Sequence, residues 1–234
     1  MHNAFPIIIT GGGLTAQIMA CALSHFQIEF AWLKPADTKR SDSRTTTINV
    51  AGQRMLAHLG LWPFSADNTT KITEIFVSRQ PFASSANTKQ RLRHSLQFDM
   101  AGQAMAWTTD NQALLAAAKH KLKNHTIENL NYNGDLAFDF SGERATISDQ
   151  NGNIWNTDLL IACDGAKSPA SAAAGLKTRL LAANQSAIIA RLALPQPHNN
   201  RAYQRFLPDG PIALMPIGQS EAALVWSLTN KLSE

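Results

Sequence analysis

The first candidate site lies in the glycine turn after residues 7–10, a short β-branched strand, and before an apolar stretch with helical spacing. Gly11, Gly13 and Ala16 match the Gly-x-Gly-x-x-Ala form of the dinucleotide fingerprint. In that motif Gly11 permits a sharp turn, Gly13 lets amides approach a pyrophosphate, and Ala16 lets the helix pack closely. The amides of Leu14 and Thr15 would point at the phosphates. A tight strand-to-helix turn without a ligand is the alternative.

A second candidate site is the turn formed by Asp164 and Gly165, which follows the apolar strand of residues 159–163. A carboxylate there can accept hydrogen bonds from ribose or ribityl hydroxyls, and Gly165 would let a cofactor lie against the backbone. Taken alone, this turn is as well explained by an ordinary Asp-Gly turn before a helix capped by Ser168. The two turns together, in this order, predict a flavin dinucleotide bound at both ends.

The acidic residue that binds ribose is expected at the end of the second strand, about 20 residues after the glycines. Lys34 occupies this position, and Asp37 could substitute for the missing acid. Arg44 is a lone arginine before a threonine run, and it could form bidentate hydrogen bonds with a pyrophosphate. A surface arginine is the alternative for Arg44.

Composition narrows the class of protein. The 234 residues are 44% hydrophobic and 16% charged, which is typical of a soluble globular protein. An apolar run long enough for a membrane span and a secretory signal are both missing from the sequence, so we expect a cytoplasmic protein. Cys21 and Cys163 are predicted to be small core residues, and the histidine spacing predicts no metal site. The net charge is +4, but the most basic stretch, residues 79–94, lacks an aromatic ladder, which disfavours nucleic acid binding.

Hydrophobic periodicity and turn residues predict the elements that position these residues. They are a β–α–β unit over residues 7–33, a helix over 50–59, a helix begun by the capping box of Thr109 and Gln112, a β-meander over 127–161, a short helix after Ser168, and four strands between 187 and 228.

At this point the chain resembles a known family. In order, the segments GGGLTA, SRTTTINVAGQRMLAHLGLW, AWTTDNQALLAAA, LLIACDGAKSPA and AYQRFLPDGPIALMPI resemble the FAD-dependent aromatic hydroxylases of ubiquinone biosynthesis. These are the 2-polyprenylphenol hydroxylases, which are related to para-hydroxybenzoate hydroxylase. The resemblance covers nearly the whole chain, and its most specific part is residues 204–217.

The resemblance implies an α/β fold, a glutathione-reductase-like FAD-binding Rossmann domain with an inserted, incomplete antiparallel substrate sheet. The FAD-binding domain would comprise residues 1–71 and 100–178, and the partial substrate-binding sheet domain residues 72–99 and 179–234. The C-terminal part of the family fold, including a second Gly-Asp motif, is expected to be missing.

The resemblance also implies an activity. NADH or NADPH would reduce FAD, oxygen would form a C4a-hydroperoxide, and one oxygen atom would pass to a phenol ring that could be polyprenylated. Ubiquinone-pathway proteins are implied partners, and a basic stretch, residues 89–94, could give peripheral contact with the inner membrane. The implied cofactor-binding residues are Gly11, Gly13, Leu14 and Thr15 for the pyrophosphate, Arg44 and Gln112 elsewhere on the cofactor, and Asp164 and Gly165 for the ribityl-side hydroxyls. No catalytic residue is assigned.

Three positions depart from the family pattern. Lys34 replaces a ribose-binding Glu, Gln112 replaces an Arg that many members have, and Ser171 replaces the Arg that ends the DGxxSxxR motif. These departures leave a second hypothesis open, in which the chain is a truncated, non-catalytic remnant or scaffold of the same family.

Overall fold

The computed structural model describes residues 4–36, 44–62, 69–79, 95–179 and 184–229. The chain forms two compact units that alternate along the sequence. Unit 1 comprises Met1–Asp42, Leu59–Leu61 and Leu114–Leu180, and unit 2 comprises Ser43–His58, Trp62–Ala113 and Leu181–Glu234. The predicted division into an FAD-binding domain and a substrate-binding sheet domain has boundaries that differ from those of the two units, and it stays a prediction.

Fifteen strands and four helices lie within the described residues. In chain order they are β1 (Ala4–Thr10), α1 (Leu14–His25), β2 (Ala31–Pro35), β3 (Thr45–Asn49), α2 (Val50–His58), β4 (Thr69–Ile72), β5 (Glu74–Arg79), β6 (Ser95–Asp99), β7 (Ala106–Asp110), α3 (Asn111–Leu122), β8 (Glu128–Tyr132), β9 (Leu136–Asp139), β10 (Ala145–Asp149), β11 (Ile154–Ala162), α4 (Pro169–Ala173), β12 (Gln185–Ala193), β13 (Arg201–Leu207), β14 (Gly210–Ile217) and β15 (Glu221–Thr229).

Unit 1 is built on a six-stranded sheet with the order β8-β2-β1-β11-β10-β9. The first four strands are parallel, and β10 and β9 extend the sheet in antiparallel fashion. Its core cluster contains Ile8, Leu33 and Ile147, which are fully buried. Because β1 and β11 pair in register up to Thr10 and Ala162, the turns that follow these two strands begin side by side.

Helix α1 begins directly after the glycine turn. It buries a face of small side chains, Ala16, Ala20 and Cys21, each with no exposed surface. Small residues allow the helix axis to approach its neighbours closely, which is the packing that the fingerprint predicts for position 16. Cys21 is therefore a small core residue, as predicted, whereas Cys163 is only half-buried; both thiols are free.

Two local predictions are wrong. The β-meander is confirmed for β9, β10 and β11, but β8 pairs in parallel with β2 on the far side of the sheet. The capping box fails because Thr109 belongs to β7, where it pairs with Thr46 and with Thr69. Helix α3 begins at Asn111, and the carboxylate of Asp110 accepts the N–H of Gln112 at 2.8 Å.

Unit 2 contains two sheets. One has the order β12-β15-β14-β13-β5-β6 and is antiparallel except for the pair β13 and β5; the other is the antiparallel sheet β3-β7-β4. One buried cluster of this unit contains Ile72, Ala106 and Ala202. The predicted α/β fold class, with a mostly antiparallel second sheet, is confirmed. Among the described residues, the helices are too short or too polar to cross a bilayer.

Candidate functional site

The glycine turn after β1 is held from the β2 side. Gly11 has a φ of +110°, a conformation that favours glycine. Its N–H donates to the carbonyl of Leu33 at 3.0 Å, and its carbonyl accepts the indole Nε1–H of Trp32 at 2.8 Å in a buried hydrogen bond. The turn is thus fixed by backbone and side chain together.

The same turn lies against the end of β11. A Cβ on Gly11 would stand 2.3 Å from the carbonyl oxygen of Cys163, a distance that no real contact tolerates. The N–H of Cys163 donates to the carbonyl of Thr10 at 2.9 Å, so the two strand ends stay paired. Glycine is therefore required at position 11 for the close approach of β11 as well as for the turn.

Open space lies in front of the N-terminus of α1. Gly13 is extended, and an added Cβ would have no atom within 4 Å. Among the described residues no side chain caps this helix, and its first turn contains no acidic residue. Leu14 and Thr15 form the start of that turn, whose amides and helix dipole favour an anionic group. This geometry fits a pyrophosphate.

The second turn presents a buried acceptor without a donor. Oδ2 of Asp164 accepts the N–H of Ala170 at 3.5 Å, whereas Oδ1 is buried and has no hydrogen-bond partner among the described residues. Leaving such an oxygen unpaired costs about 1–3 kcal/mol, and a ligand hydroxyl would remove that cost. Gly165, at a φ of +94°, leaves the adjoining space open. The residues fit a dinucleotide that carries hydroxyl groups beside its phosphates.

Two neighbours of Asp164 complete the electrostatics. Burial and then the carboxylates of Asp164 and Asp135 raise the pKa of Tyr132, so its hydroxyl stays protonated and able to donate. Burial and then Asp164 raise the pKa of the Cys163 thiol, which makes this cysteine a poor nucleophile at neutral pH. The turn therefore offers hydrogen bonding without a reactive thiol.

A cavity of about 360 Å³ lies in unit 1 at the carboxyl end of β2, with Gly12 and Gln17 on its wall. Lys34 lines it, donates from Nζ to Oδ1 of Asn129 at 2.7 Å, and has its ammonium 4.6 Å from the ring centroid of Trp32. The ribose-binding acid of the general fingerprint is thus replaced by a cation. Asp37, the predicted substitute, lies outside the described residues.

Arg44 and Gln112 belong to unit 2, where the structure brings their segments together. Arg44 precedes β3 and is exposed, and its carbonyl accepts the N–H of Asn111 at 3.1 Å. Gln112 follows Asn111 at the start of α3 and is also exposed. Contact of either side chain with a cofactor stays a prediction, as does the cofactor contact of Gly11, Gly13, Leu14, Thr15, Asp164 and Gly165.

Sequence reasoning missed two residues of unit 1 that shape the site. Trp32 holds the carbonyl of Gly11, and Gln17 lies on the cavity wall. The spacing of Gln17, one turn into a helix that starts at a glycine fingerprint, was an available signal. Within the described ranges, no group of side chains has the makeup of a metal site.

Comparison with known proteins decides the family. The family model described as FAD binding domain matches residues 4–231. The chain belongs to this FAD-binding domain family.

Curated relatives of this member of the FAD-binding domain family have names that agree with the predicted resemblance, which is confirmed. This chain is 28% identical over 254 residues to the ubiquinone biosynthesis monooxygenase COQ6, mitochondrial, of Mus musculus. The alignment covers 98% of this chain and 51% of the relative. The chain is 27% identical over 229 residues to the ubiquinone hydroxylase UbiL of Rhodospirillum rubrum, covering 94% and 51%. The chain thus spans about half the length of the curated relatives that it matches.

Solved structures share the fold of this chain. PqsL of P. aeruginosa, in complex with 2-aminobenzoylacetate, superposes with a TM-score of 0.77 at 15% identity, covering 99% of this chain and 62% of PqsL. HpxO of Klebsiella pneumoniae, complexed with FAD and uric acid, gives a TM-score of 0.69 at 16% identity, covering 95% and 56%. The second neighbour holds FAD, the cofactor that the two turns predict here.

Proposed function

We propose that this chain forms the FAD-binding part of a monooxygenase that hydroxylates a phenol ring, polyprenylated or not, in ubiquinone biosynthesis. The observation that carries the proposal is the meeting of two turns at the ends of β1 and β11. Gly11 sits against the carbonyl of Cys163, and the adjoining Asp164 keeps a buried carboxylate oxygen without a partner among the described residues. The names of the curated relatives support the reaction class.

In this proposal each residue of the two turns has a defined task. The first-turn amides of α1, from Leu14 and Thr15, bind the pyrophosphate, and Gly13 leaves room for it. Asp164 accepts a hydrogen bond from a ribityl-side hydroxyl, and the backbone of Gly165 lets the cofactor lie close. When bound, FAD supplies the oxygen-activating chemistry, with NADH or NADPH as the electron donor.

The remaining parts of the proposal concern substrate, partners and place in the cell. A phenolic small molecule is the proposed substrate, supported by the hydroxylase names of the relatives. We further propose a cytoplasmic protein with peripheral contact at the inner membrane and with ubiquinone-pathway proteins. The basic stretch that would make the membrane contact, residues 89–94, lies outside the described residues.

A second candidate function is a non-catalytic scaffold with the same fold. Lys34 favours it, because the family acid that binds ribose is replaced and the lysine already donates to Asn129. Ser171, which stands where the resemblance implies an Arg, also favours it; the backbone N–H at this position, which any residue would supply, donates to Oγ of Ser168 at 3.0 Å.

The visible absorption spectrum of the purified chain, titrated with FAD, separates the two candidates. The hydroxylase proposal expects saturable flavin binding that Asp164→Ala weakens by about tenfold or more, since a hydrogen bond to a charged group is lost. Asp158→Ala is the matched control, because Asp158 lies on β11, the strand that leads into the turn of Asp164, but is exposed and pairs with Arg144. A wild-type chain that stays colourless and does not respond to FAD would contradict the hydroxylase proposal and support the scaffold.

A further inference from the structure

The cavity at the carboxyl end of β2 is lined by an unusual set of cationic and protonatable side chains. They are Lys34, Lys119, Lys123 and His125, and we call the cavity that they line the basic pocket. The polar remainder of its wall includes Asn129 and Asn131. No aspartate or glutamate of the described chain lines this cavity.

The positive charge of the basic pocket is not compensated within the described structure. Lys34 contacts a neutral amide oxygen of Asn129 and the face of Trp32. No ion pair of the described residues involves Lys34, Lys119 or Lys123. Burial and then the nearby charge of Lys119 lower the pKa of Lys34, which places two like charges close together. A bound anion would relieve this repulsion.

Gln17 adds an independent sign of a ligand. Its side chain is only 5% exposed and lines the basic pocket. Nε2 donates to the carbonyl of Gly12 at 3.4 Å, while Oε1 is buried and has no partner among the described residues. The P–OH of a hydrogen phosphate ion, or a ribose hydroxyl of a nucleotide, would supply the missing donor, whereas ionised phosphoryl oxygens would not.

The lysines do not all serve the end of helix α3. Basic residues in a last helical turn interact favourably with the helix dipole, which accounts for Lys119 and Lys121 as a pair. Lys121, however, lies beside Gly60, where its Nζ is 3.0 Å from the position of an added Cβ, and it does not line the cavity. Lys34 stands on β2, so the dipole of α3 does not explain why it lines the same cavity as Lys119 and Lys123.

We propose that the basic pocket binds a phosphoryl dianion, the chemistry shared by inorganic phosphate and by the 2′-phosphate of an adenine nucleotide. Lysine ammonium groups bind phosphate as point charges, and a basic residue at the end of the second strand suits a ribose 2′-phosphate where an acid suits a free 2′-hydroxyl. The inference goes beyond FAD binding, and it rests on the proposed function only in placing the pocket beside the adenosine half of a dinucleotide.

Isothermal titration calorimetry at constant ionic strength, set with potassium chloride, tests the proposal. One arm titrates inorganic phosphate, and the other compares adenosine 2′,5′-bisphosphate with 5′-AMP. Saturable binding of inorganic phosphate alone supports the proposal with free phosphate as the source. A higher affinity for the bisphosphate than for 5′-AMP supports the proposal with the 2′-phosphate of a nucleotide as the bound group.

Variants place the bound anion. Lys34→Met and the double variant Lys119→Met/Lys123→Met should each weaken binding by about tenfold or more, because each removes charge-assisted hydrogen bonds. The double variant changes only exposed helix-end residues, so it stays informative if Lys34→Met does not fold. Lys121→Met, which like Lys34→Met removes one positive charge, should alter affinity by less than about twofold, because long-range charge effects are screened.

Two results would overturn the inference. One is the absence of saturable phosphate binding together with no preference for the bisphosphate over 5′-AMP; the other is an equal loss of affinity in Lys121→Met and in the pocket variants. The flavin spectrum is recorded on the same preparations. A chain that binds phosphate but not FAD contradicts the proposed function alone, and a chain that binds FAD but no phosphoryl ligand contradicts this inference alone.

Discussion

The central sheet of unit 1 and the six-stranded sheet of unit 2 bury their apolar side chains to different degrees. On β1, Ile8 and Ile9 have no exposed surface. In unit 2, Ile189 on β12 is 52% exposed and Leu96 on β6 is 63% exposed. Parallel strands are usually covered on both faces, whereas an antiparallel sheet can leave one face to solvent.

This difference assigns a different source of stability to each sheet. In unit 1 a buried cluster that includes Ile8 of β1 and Trp155 of β11 joins the two strands, and the two turns of the candidate site are the direct continuation of these strands. In the larger sheet of unit 2, backbone pairing between long strands carries more of the fold, as in the nine-residue pairing of β12 with β15. We therefore expect core damage in unit 1 to reach the site chemistry.

The largest expected effect comes from Gly11→Ala. The new Cβ would collide with the carbonyl of Cys163, and a φ of +110° would strain it further, so we expect unit 1 to lose about 2–6 kcal/mol. Hydrogen exchange by mass spectrometry, which resolves the two units by peptide, measures the loss. Gly152→Ala, with a positive φ but no neighbour within 4 Å, is the control for strain alone.

The same collision can be built into unit 2 as a direct comparison. A Cβ on Gly210 would lie 2.1 Å from the carbonyl of Ser227, with a φ of +138°. Gly210→Ala should accelerate exchange in β14 and β15 while the peptides of β1 and β11 stay protected. Equal acceleration in both units would show that they unfold as one, and would remove the distinction drawn between them.

Next in size is the contrast between Ile8→Ala and Ile189→Ala. The first removes a fully buried side chain from the core of unit 1 and should cost about 2–5 kcal/mol, including the cavity. The second trims a half-exposed side chain, and we expect about 1 kcal/mol or less. Urea denaturation midpoints for each unit check both values. Similar costs would mean that the sheet of unit 2 is as dependent on apolar burial as that of unit 1.

A smaller effect is expected from Trp32→Phe. The change keeps an aromatic ring but leaves the carbonyl of Gly11 without its 2.8 Å partner, at a cost of about 1–3 kcal/mol. Because the lost bond lies at the glycine turn, flavin affinity should fall more than it does in Trp155→Phe, a matched change at another tryptophan of the unit 1 core. An equal fall in flavin affinity in both variants would show that the hydrogen bond of Trp32 has no specific role at the site.

The smallest expected effect is an alkaline one, confined to unit 1 because both cysteines of the chain lie there. Burial raises the pKa of Cys21 to about 11 from an ordinary value of 9.0, an effect that Lys121 partly offsets. The unfolded thiol ionises first, so this contribution to stability is complete below pH 9 and is lost as the pH rises through about 11. Cys21→Ala should flatten the pH dependence of unit 1 exchange in this window, with unit 2 unchanged.

Local chemistry made some features of this chain predictable. The turn at Gly11 and the cap at Ser168 follow from what glycine and serine do to their own backbone, and both are present. The predicted start of α3 was wrong because Thr109 and Gln112 satisfy the capping-box pattern equally well when Thr109 lies near the end of a strand. The predicted pairing of β8 was wrong because a strand-like sequence pattern indicates a strand but does not indicate which strand it pairs with.

The local motifs of the candidate site were predictable from the sequence, but the contacts between residues that are distant in sequence were not. The glycine turn and Asp164 can be identified from their order in the sequence. The hydrogen bond from Trp32 to the glycine turn depends instead on how β2 lies beside β1. The basic pocket is harder still, because Lys34 and Lys119 meet only after α3 has packed near the end of β2. Such meetings are set by tertiary packing, which no local pattern records.

The register of β1 with β11, from Ala4 against Asn156 to Thr10 against Ala162, has a consequence for biosynthesis. A ribosome that adds about 5–20 residues per second completes β11 roughly 8–30 s after β1 has been made. Throughout that interval β1, with its run of three isoleucines, has an open edge with which other chains can pair. Slow, non-local closure of this kind makes nascent chains dependent on chaperones, and low-temperature expression should therefore raise the yield of soluble protein.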